Sequence, residues 1–270
     1  MKVMERIYRS RNGVIEKTRY VVGDRAKARG KRKKGNTSAR KQEQNFNSAI
    51  RTLSRILNCN FTHEDGLLID LTYNPAGLEK VERKADTETG AQGDACARMD
   101  AIREEGERQA MLWIRRVKRS LGAVKVKYVV VTSDMDGDTG EVVRLHHHVV
   151  LLGAGLSWDS LRSLWRLGSM DIRQLRDQPD YTPLAAYLLR QVRRQPDRKK
   201  YRVSRGMEQP VTEEREILRV SGEIKAPPGA QVFEHRYVAD EVGQYIRYLP
   251  KKRERKRGGK KLGLDGGTPE

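Results

Sequence analysis

The sequence predicts an α+β protein with a central antiparallel sheet and helices packed mainly on one face of that sheet. Two observations carry this prediction. Short runs rich in valine, isoleucine and leucine alternate with longer segments in which apolar residues recur at a helical period. Two of the short runs, 125–132 and 142–152, are joined by a turn at residues 136–140, so they should pair as antiparallel neighbours.

The N-terminal part of the chain predicts a hairpin followed by a helix. Asn12-Gly13 is a hairpin turn dipeptide, and it lies between two strand-like runs within residues 5–22. A helix should begin near Lys41, because four apolar residues then share one helical face: Phe46, Ile50, Leu53 and Leu57.

Strands and helices then alternate along the rest of the chain. A strand over residues 67–73 should stop before Pro75, and the polar residues 76–94 should form a loop. A long helix is expected from Asp94, a plausible N-cap, to Gly122. Beyond the strand at 142–152, the patterns predict a helix capped by Ser157, an edge strand at 170–175, a helix at 183–194 and short strands at 200–203, 216–220 and 232–238.

The net charge of +19 is concentrated in two segments. Residues 25–41 hold nine basic and no acidic residues, residues 251–261 hold eight basic and one acidic residue, and the rest of the chain is nearly neutral. Such basic arms condense onto polyanions, so nucleic acid is the expected partner, with a solvated, solubilising tail as the alternative. A membrane is not expected, because neither arm has an amphipathic apolar face and no apolar run approaches ~20 residues.

The cysteines and the N-terminal residues point to the cytoplasm. Cys59 and Cys96 are far apart and form no Cys-x-x-Cys pair, which favours a reducing compartment and argues against structural zinc. The first residues lack the apolar stretch of a secretory signal.

Three consecutive histidines in the strand at 142–152 form the strongest candidate site. Side chains alternate along a strand, so His146 and His148 should share one face while His147 points to the other. Two neighbouring imidazoles can hold one divalent metal ion. The ordinary alternative is that the histidines are hydrogen-bonded structural residues.

An oxygen ligand should complete such a site. Asp134 lies at the end of the preceding strand and is the expected third ligand, with Asp136 and Asp138 as alternatives. Two nitrogens and a carboxylate, with positions left open for water and phosphate, suit Mg²⁺ or Mn²⁺.

A tyrosine about forty residues after the histidines is the candidate nucleophile. Tyr187 and Arg190 are three residues apart in a predicted helix and therefore neighbours on one face. A phenol becomes a good nucleophile when its anion is stabilised, and a nearby cation does this. Alternatively, Tyr187 packs into the core and Arg190 is solvated.

Taken together, these motifs resemble the HUH endonucleases, and within them the rolling-circle replication proteins of phages and plasmids. The resemblance covers roughly residues 37–210 and depends on the order and spacing of short motifs. They are Asn58-Cys59-Asn60-Phe61, Leu71-Thr72-Tyr73, the run from Arg144 to Leu151, Trp165 with Gly168, the run from Tyr187 to Arg190, and the run from Tyr201 to Gly206 with Pro210.

The resemblance implies a ferredoxin-like nuclease core and a specific reaction. His146, His148 and Asp134 would hold the metal, Tyr187 would attack the scissile phosphate, and Arg190 would clamp it. The substrate would be single-stranded or hairpin origin DNA, and the product a 5′-phosphotyrosine with a free 3′-OH. Because the sequence has no phosphate-binding loop of the Gly-x-x-x-x-Gly-Lys type, a host helicase and polymerase are expected partners.

Three positions depart from the family pattern. His147 stands where a bulky hydrophobic residue is usual, Arg190 replaces a lysine, and Gln191 stands where two-tyrosine members have their second tyrosine. Tyr181 is a poor substitute, because it should face another direction. The chain is therefore expected to be a single-tyrosine enzyme.

Other functions remain open at this stage. A transposase would use the same chemistry, and a non-catalytic basic protein would explain the arms without the histidines. A hydrolase of small molecules would leave the arms unexplained, and relaxases usually place the tyrosine before the histidines. The expected organisation is an N-terminal hairpin at 1–24, a basic arm at 25–41, the nuclease domain at 42–210, accessory strands at 211–250 and a basic tail at 251–270.

Overall fold

The computed structural model describes residues 2–22, 39–89, 94–122, 126–152, 157–193, 199–218, 222–236 and 243–251. The predicted basic arm at 25–41 and the predicted tail at 251–270 lie almost entirely outside these residues. None of the described helices is both long enough and apolar enough to cross a membrane.

Helices and strands alternate through the described residues. The helices are α1 (Ala39–Asn60), α2 (Pro75–Thr89), α3 (Ala95–Leu121), α4 (Trp158–Ser163) and α5 (Thr182–Arg190). The strands are β1 (Lys2–Arg9), β2 (Ile15–Val22), β3 (Gly66–Thr72), β4 (Lys127–Met135), β5 (Val142–Leu152), β6 (Met170–Gln174), β7 (Arg202–Val203), β8 (Val211–Ile217), β9 (Gln231–Arg236) and β10 (Gln244–Leu249).

The strands form two five-stranded antiparallel sheets. The central sheet has the order β6-β3-β5-β4-β7, and the terminal sheet has the order β8-β1-β2-β10-β9. The α+β class, the β4–β5 pairing and the edge position of β6 are confirmed. The N-terminal hairpin and the strands after residue 210, predicted as separate units, pair with one another in the terminal sheet.

Helices cover both faces of the central sheet, so the prediction of helices mainly on one face is wrong. One face, with Val130 and Val149, packs against α2 and α3. The opposite face, with Val129 and Val150, packs against α1 and α5. The reason lies in β4 and β5, whose runs of valine and leucine are apolar on both faces, as in sheets that are buried on both sides.

The segment predicted as a loop at 76–94 contains helix α2, so this prediction is also wrong. Asn74 caps the helix, because its Oδ1 accepts a hydrogen bond from the Gly77 N–H at 2.7 Å. Among the apolar side chains of α2, only those of Val81 and Ala85 are fully buried, which is too sparse an apolar face to stand out against the surrounding charges. By contrast, the Asp94 cap of α3 is confirmed, with the Ala97 N–H donating to Asp94 at 2.7 Å.

A polar interface joins the terminal sheet to the rest of the molecule. Arg55 of α1 pairs with buried Glu16 of β2 at 2.7 Å. Arg247 of β10 pairs with buried Asp180 at 3.0 Å between Nε and Oδ2. Asp180 Oδ1 in turn accepts hydrogen bonds from the backbone N–H and the hydroxyl of Thr182, at 3.1 and 2.8 Å, where α5 begins. The last described strand therefore supports the start of the helix that carries Tyr187.

Candidate metal and nucleophile site

The three histidines lie on β5, the middle strand of the central sheet. His148 is opposite Asp70 of β3 and Val131 of β4, and His146 is two residues away on the same face. This face is the one covered by α1 and α5. Strand alternation therefore separates His147 from the other two, as the sequence predicts.

His147 is a core residue on the opposite face. It is fully buried, and its two ring nitrogens contact the hydroxyls of Tyr73, at 2.8 Å, and Thr132, at 3.0 Å. Burial, reinforced by the neighbouring His146 and His148, lowers the pKa of His147 to about 3. Its imidazole is therefore neutral and fully engaged in hydrogen bonds, which leaves the outer pair as the candidate ligands.

The outer histidines direct their Nε2 atoms at each other across 3.1 Å. The Nδ1 of His146 faces the carbonyl oxygen of Arg144 at 3.0 Å, and the Nδ1 of His148 faces a carboxylate oxygen of Asp70 at 2.5 Å. Because both partners are acceptors, the neutral form of each ring carries its proton on Nδ1 and presents a lone pair at Nε2. Metal-binding histidines in proteins are held in this way, with the second ring N–H bonded to a carboxylate or a backbone carbonyl.

A third acceptor, the side-chain oxygen of Gln191, completes the cluster. Gln191 Oε1 is 3.3 Å from the Nε2 of His146 and 3.2 Å from that of His148. Its amide nitrogen donates to the carbonyl of Tyr187 at 3.4 Å, which turns the oxygen toward the histidines. Two backbone N–H groups of β4, those of Asp134 and Met135, donate to the Gln191 carbonyl at 3.3 and 3.2 Å and hold the end of α5 against the sheet.

Three acceptors this close repel one another unless a positive charge lies between them. With bonds of about 2.1 Å, neighbouring ligand atoms are about 3.0 Å apart in an octahedral site and about 3.4 Å apart in a tetrahedral one. The observed separations of 3.1, 3.2 and 3.3 Å match this range. The two imidazole nitrogens and the amide oxygen are therefore spaced as the ligands of one divalent cation would be.

Asp70 is the acid that the structure places beside the histidine pair. Besides His148, its carboxylate binds Arg173 of β6. Burial acts to raise the pKa of Asp70, but the hydrogen bond from His148 and the positive charge of Arg173 act to lower it, and the pKa lies below its ordinary value. Asp70 is therefore an anion that fixes the orientation of His148.

The structure does not bring Asp134 to the pair. Its Oδ2 accepts a hydrogen bond from Arg193 at 2.8 Å, and Arg193 also reaches Asp100 of α3, on the opposite face of the sheet. Asp134 lies at an irregularity of the β4–β5 ladder, where the strand direction no longer fixes the side chain. The alternative ligand Asp136 accepts hydrogen bonds within its own turn, and Asp138 is exposed in that turn.

Among the described residues, histidine, cysteine, aspartate and glutamate side chains alone form no group of three that could hold a metal. The cluster depends on an amide oxygen from Gln191. Neither this residue nor Asp70 was singled out from the sequence as part of the site. The one available signal for Asp70 was an acid in an otherwise apolar strand.

Tyr187 lies on the histidine side of the central sheet and is open to solvent. It is 47% exposed, and its ring centroid is 5.6 Å from that of His148. Arg190, one turn further along α5, is also exposed. The alternative in which Tyr187 packs into the core therefore does not describe this structure.

Tyr181 has a different environment. It is 3% exposed, and its hydroxyl faces the carbonyl of Arg176 at 3.5 Å. Burial raises the pKa of Tyr181 to about 12, which disfavours the phenolate that a nucleophile needs.

Two of the sequence motifs meet beside this site. The indole N–H of Trp165 donates to the carbonyl of Thr72 at 3.0 Å. A Cβ on Gly168 would lie 2.1 Å from the same carbonyl oxygen, so only glycine permits this approach. The segment around Trp165 and Gly168 therefore holds the end of β3, two residues from Asp70.

Comparisons with protein-family models, with curated proteins and with solved structures give no match for this chain. The function is therefore inferred from the residues and from their arrangement.

Proposed function

We propose that this protein nicks and rejoins single-stranded DNA through a covalent bond to Tyr187 and so initiates rolling-circle replication of a phage or plasmid. One observation carries the proposal. A solvent-exposed tyrosine stands beside His148, on the face where two imidazole nitrogens and an amide oxygen converge.

His146, His148 and Gln191 would hold the divalent ion, Mg²⁺ or Mn²⁺. When bound, such an ion acts as a Lewis acid toward a phosphate oxygen. Asp70 keeps the proton of His148 on Nδ1, so that Nε2 stays available as a ligand. The role predicted for Asp134 passes to Gln191 in this proposal.

Tyr187 would carry out the chemical step. Its hydroxyl oxygen attacks the scissile phosphorus, and the bond from phosphorus to the 3′ oxygen breaks. The upstream segment leaves with a free 3′-OH, and the 5′-phosphate of the downstream segment becomes joined to the tyrosine. The phenol loses its proton and the departing 3′ oxygen gains one, so charge and protons balance. When a 3′-OH later attacks the phosphotyrosine, the same bonds exchange in reverse and the strand is resealed without ATP.

Arg190 would supply a fixed positive charge to the phosphate. It is exposed and lies one turn from Tyr187 on the same helix. A guanidinium binds phosphate through paired N–H donors and does not deprotonate, so Arg190 would clamp and would not act as a base.

A covalent adduct tests the chemistry. We expect the protein, mixed with origin-like single strands and Mn²⁺, to form a protein–DNA species that survives SDS. Tyr187→Phe should abolish the adduct and leave DNA binding intact. Tyr181→Phe is the matched control, because it removes a hydroxyl from the same segment at a buried position, and it should retain the adduct.

Loss of the adduct in Tyr181→Phe, with its retention in Tyr187→Phe, would overturn the assignment of the nucleophile. Metal-independent DNA binding with no cleavage at all would favour the non-catalytic binding protein. If the freed 3′ end joins unrelated target DNA instead of priming a polymerase, the same chemistry serves a transposase.

A further inference from the structure

A cleft rich in arginine lies between helix α1 and the terminal sheet. Its volume is about 440 Å³. Its described lining is polar or aromatic and includes no carboxylate side chain. Four arginines and two tyrosines dominate it: Arg6, Arg51, Arg55, Arg236, Tyr8 and Tyr20.

Three of the four arginines of this cleft stack on tyrosine rings. The Arg55 guanidinium lies 3.5 Å from the centre of the Tyr8 ring, and that of Arg6 lies 5.3 Å from the Tyr20 ring. Arg51 stacks on Tyr245 of β10 at 3.9 Å. Such stacking fixes the planar groups, so little side-chain entropy is lost when they bind an anion.

Carboxylates outside the cleft lining pair with all four cleft arginines. Arg55 pairs with Glu16 at 2.7 Å and Arg6 with Glu214 at 2.9 Å. Glu234 pairs with Arg236 at 2.7 Å and more distantly with Arg51 at 3.9 Å. One carboxylate takes two of the five N–H donors of a guanidinium, so an arginine held in this way keeps donors for a second anion.

The cleft is separate from the candidate nicking site. Its arginines Arg51 and Arg55 lie on one side of α1, while Leu53 and Leu57 on the other side pack against the central sheet. Helix α1 also begins at Ala39, with four uncharged residues between it and the basic run at 31–34 in the sequence.

We propose that this cleft is a second nucleic-acid site, which binds the phosphate backbone. Its two tyrosine rings are covered by guanidinium groups, so the cleft offers positive charge and N–H donors and little open aromatic surface for stacking bases. Recognition of this kind is independent of base sequence. The proposal does not require that Tyr187 cleaves DNA.

The test compares two double variants of the full chain by fluorescence anisotropy with a labelled single strand and the matching duplex, in EDTA. Arg6→Gln with Arg236→Gln removes two cleft arginines. Each lost phosphate contact lowers the salt slope of log K by about 0.9 on a duplex and by about 0.7 on a single strand. We therefore expect the slope to be smaller by about 1.8 on the duplex and by about 1.4 on the single strand, and binding to be weaker by about tenfold or more.

The control is Arg9→Gln with Arg98→Gln. Arg9 lies on the same strand as Arg6 and pairs with Glu213 of β8, the residue before the partner of Arg6. Arg98 pairs with Asp86. The control therefore loses the same charge and two surface ion pairs, but neither residue is among those described as lining the cleft. We expect its affinity to stay close to that of the unmodified protein.

Equal losses in both double variants, or no loss in either, would overturn the proposal. Thermal unfolding of each variant verifies that it is folded. The adduct assay at saturating DNA separates the two functions, because the cleft variant should still react through Tyr187. If the unmodified protein forms no adduct, but only the cleft variant loses DNA binding, the proposed nicking is refuted while the second nucleic-acid site is supported.

Discussion

The two faces of strand β5 put the same amino acid to opposite uses. His147 is sealed in the core, neutral and bonded to two hydroxyls. His146 and His148, its immediate neighbours, direct lone pairs at one point beside an exposed tyrosine. The surroundings of the ring nitrogens differ between the two faces. Hydroxyls engage both nitrogens of His147, whereas acceptors at Nδ1 leave the Nε2 atoms of His146 and His148 available for the metal ion that we propose.

The largest expected effect comes from replacing one histidine on each face of β5 in turn. His148→Ala should weaken Mn²⁺ binding by more than about 100-fold, because loss of a direct ligand should exceed the 10–100-fold cost of losing an outer partner. His147→Gln should leave Mn²⁺ affinity nearly unchanged and lower the free energy of unfolding by about 1–3 kcal/mol, since two buried hydroxyls lose their partner. Calorimetric titration and urea unfolding measure the two quantities. Similar Mn²⁺ affinities in both variants would remove the distinction between the faces.

Asp70→Asn should weaken Mn²⁺ binding by about 10- to 100-fold. The amide still accepts the hydrogen bond from His148 but no longer supplies the negative charge that strengthens it. Asp171→Asn is the matched control, because Asp171 also binds Arg173, at 3.2 Å, yet is not among the described partners of the histidines. If both variants bind Mn²⁺ equally well, Asp70 does not position His148.

Gln191→Glu should act in the opposite direction. A carboxylate at this position adds a full negative charge to the two imidazoles, so we expect Mn²⁺ affinity to rise by about tenfold. Gln191→Ala should lower it. An unchanged affinity in both variants, measured by the same titration, would remove Gln191 from the ligand set.

The smallest expected effect is a pH dependence of stability from His147. The pKa of His147 is lower in the folded protein than in the unfolded chain. At a pH between the two values, His147 is therefore protonated in the unfolded chain and neutral in the folded protein. This contribution is complete above the unfolded pKa and is lost as the pH falls toward about 3. Between pH 7 and about 5.5 the loss should be about 1 kcal/mol. Urea unfolding at both pH values should show this loss of stability. His147→Gln should abolish the contribution of His147 to the pH dependence. An unaltered pH dependence in that variant would contradict the lowered pKa of His147.

The sequence pattern was sufficient for β5 and α5, where the spacing of residues within one element decides the outcome, but not for α2, whose apolar face is sparse. Alternation along β5 predicted that His147 would be separated from its neighbours, and the helical spacing placed Tyr187 and Arg190 on one face. Asp70 and Gln191 were not found, because their place in the site depends on which strand pairs with β5 and on where α5 ends against β4. The sequence also did not reveal that helices cover both faces of the central sheet, for a similar reason. An apolar run shows that a strand is buried, but not whether helices pack on one side of it or on both.

The pairing of Arg247 with Asp180 has a consequence for the order in which the molecule is made. The ribosome releases the segment carrying Tyr187 well before the arginine that secures the beginning of its helix has been added. A product cut short ahead of β10 would contain every residue assigned here to nicking and would lack this ion pair. Biosynthesis itself would thereby delay the full support of the start of α5 until β10 has been made.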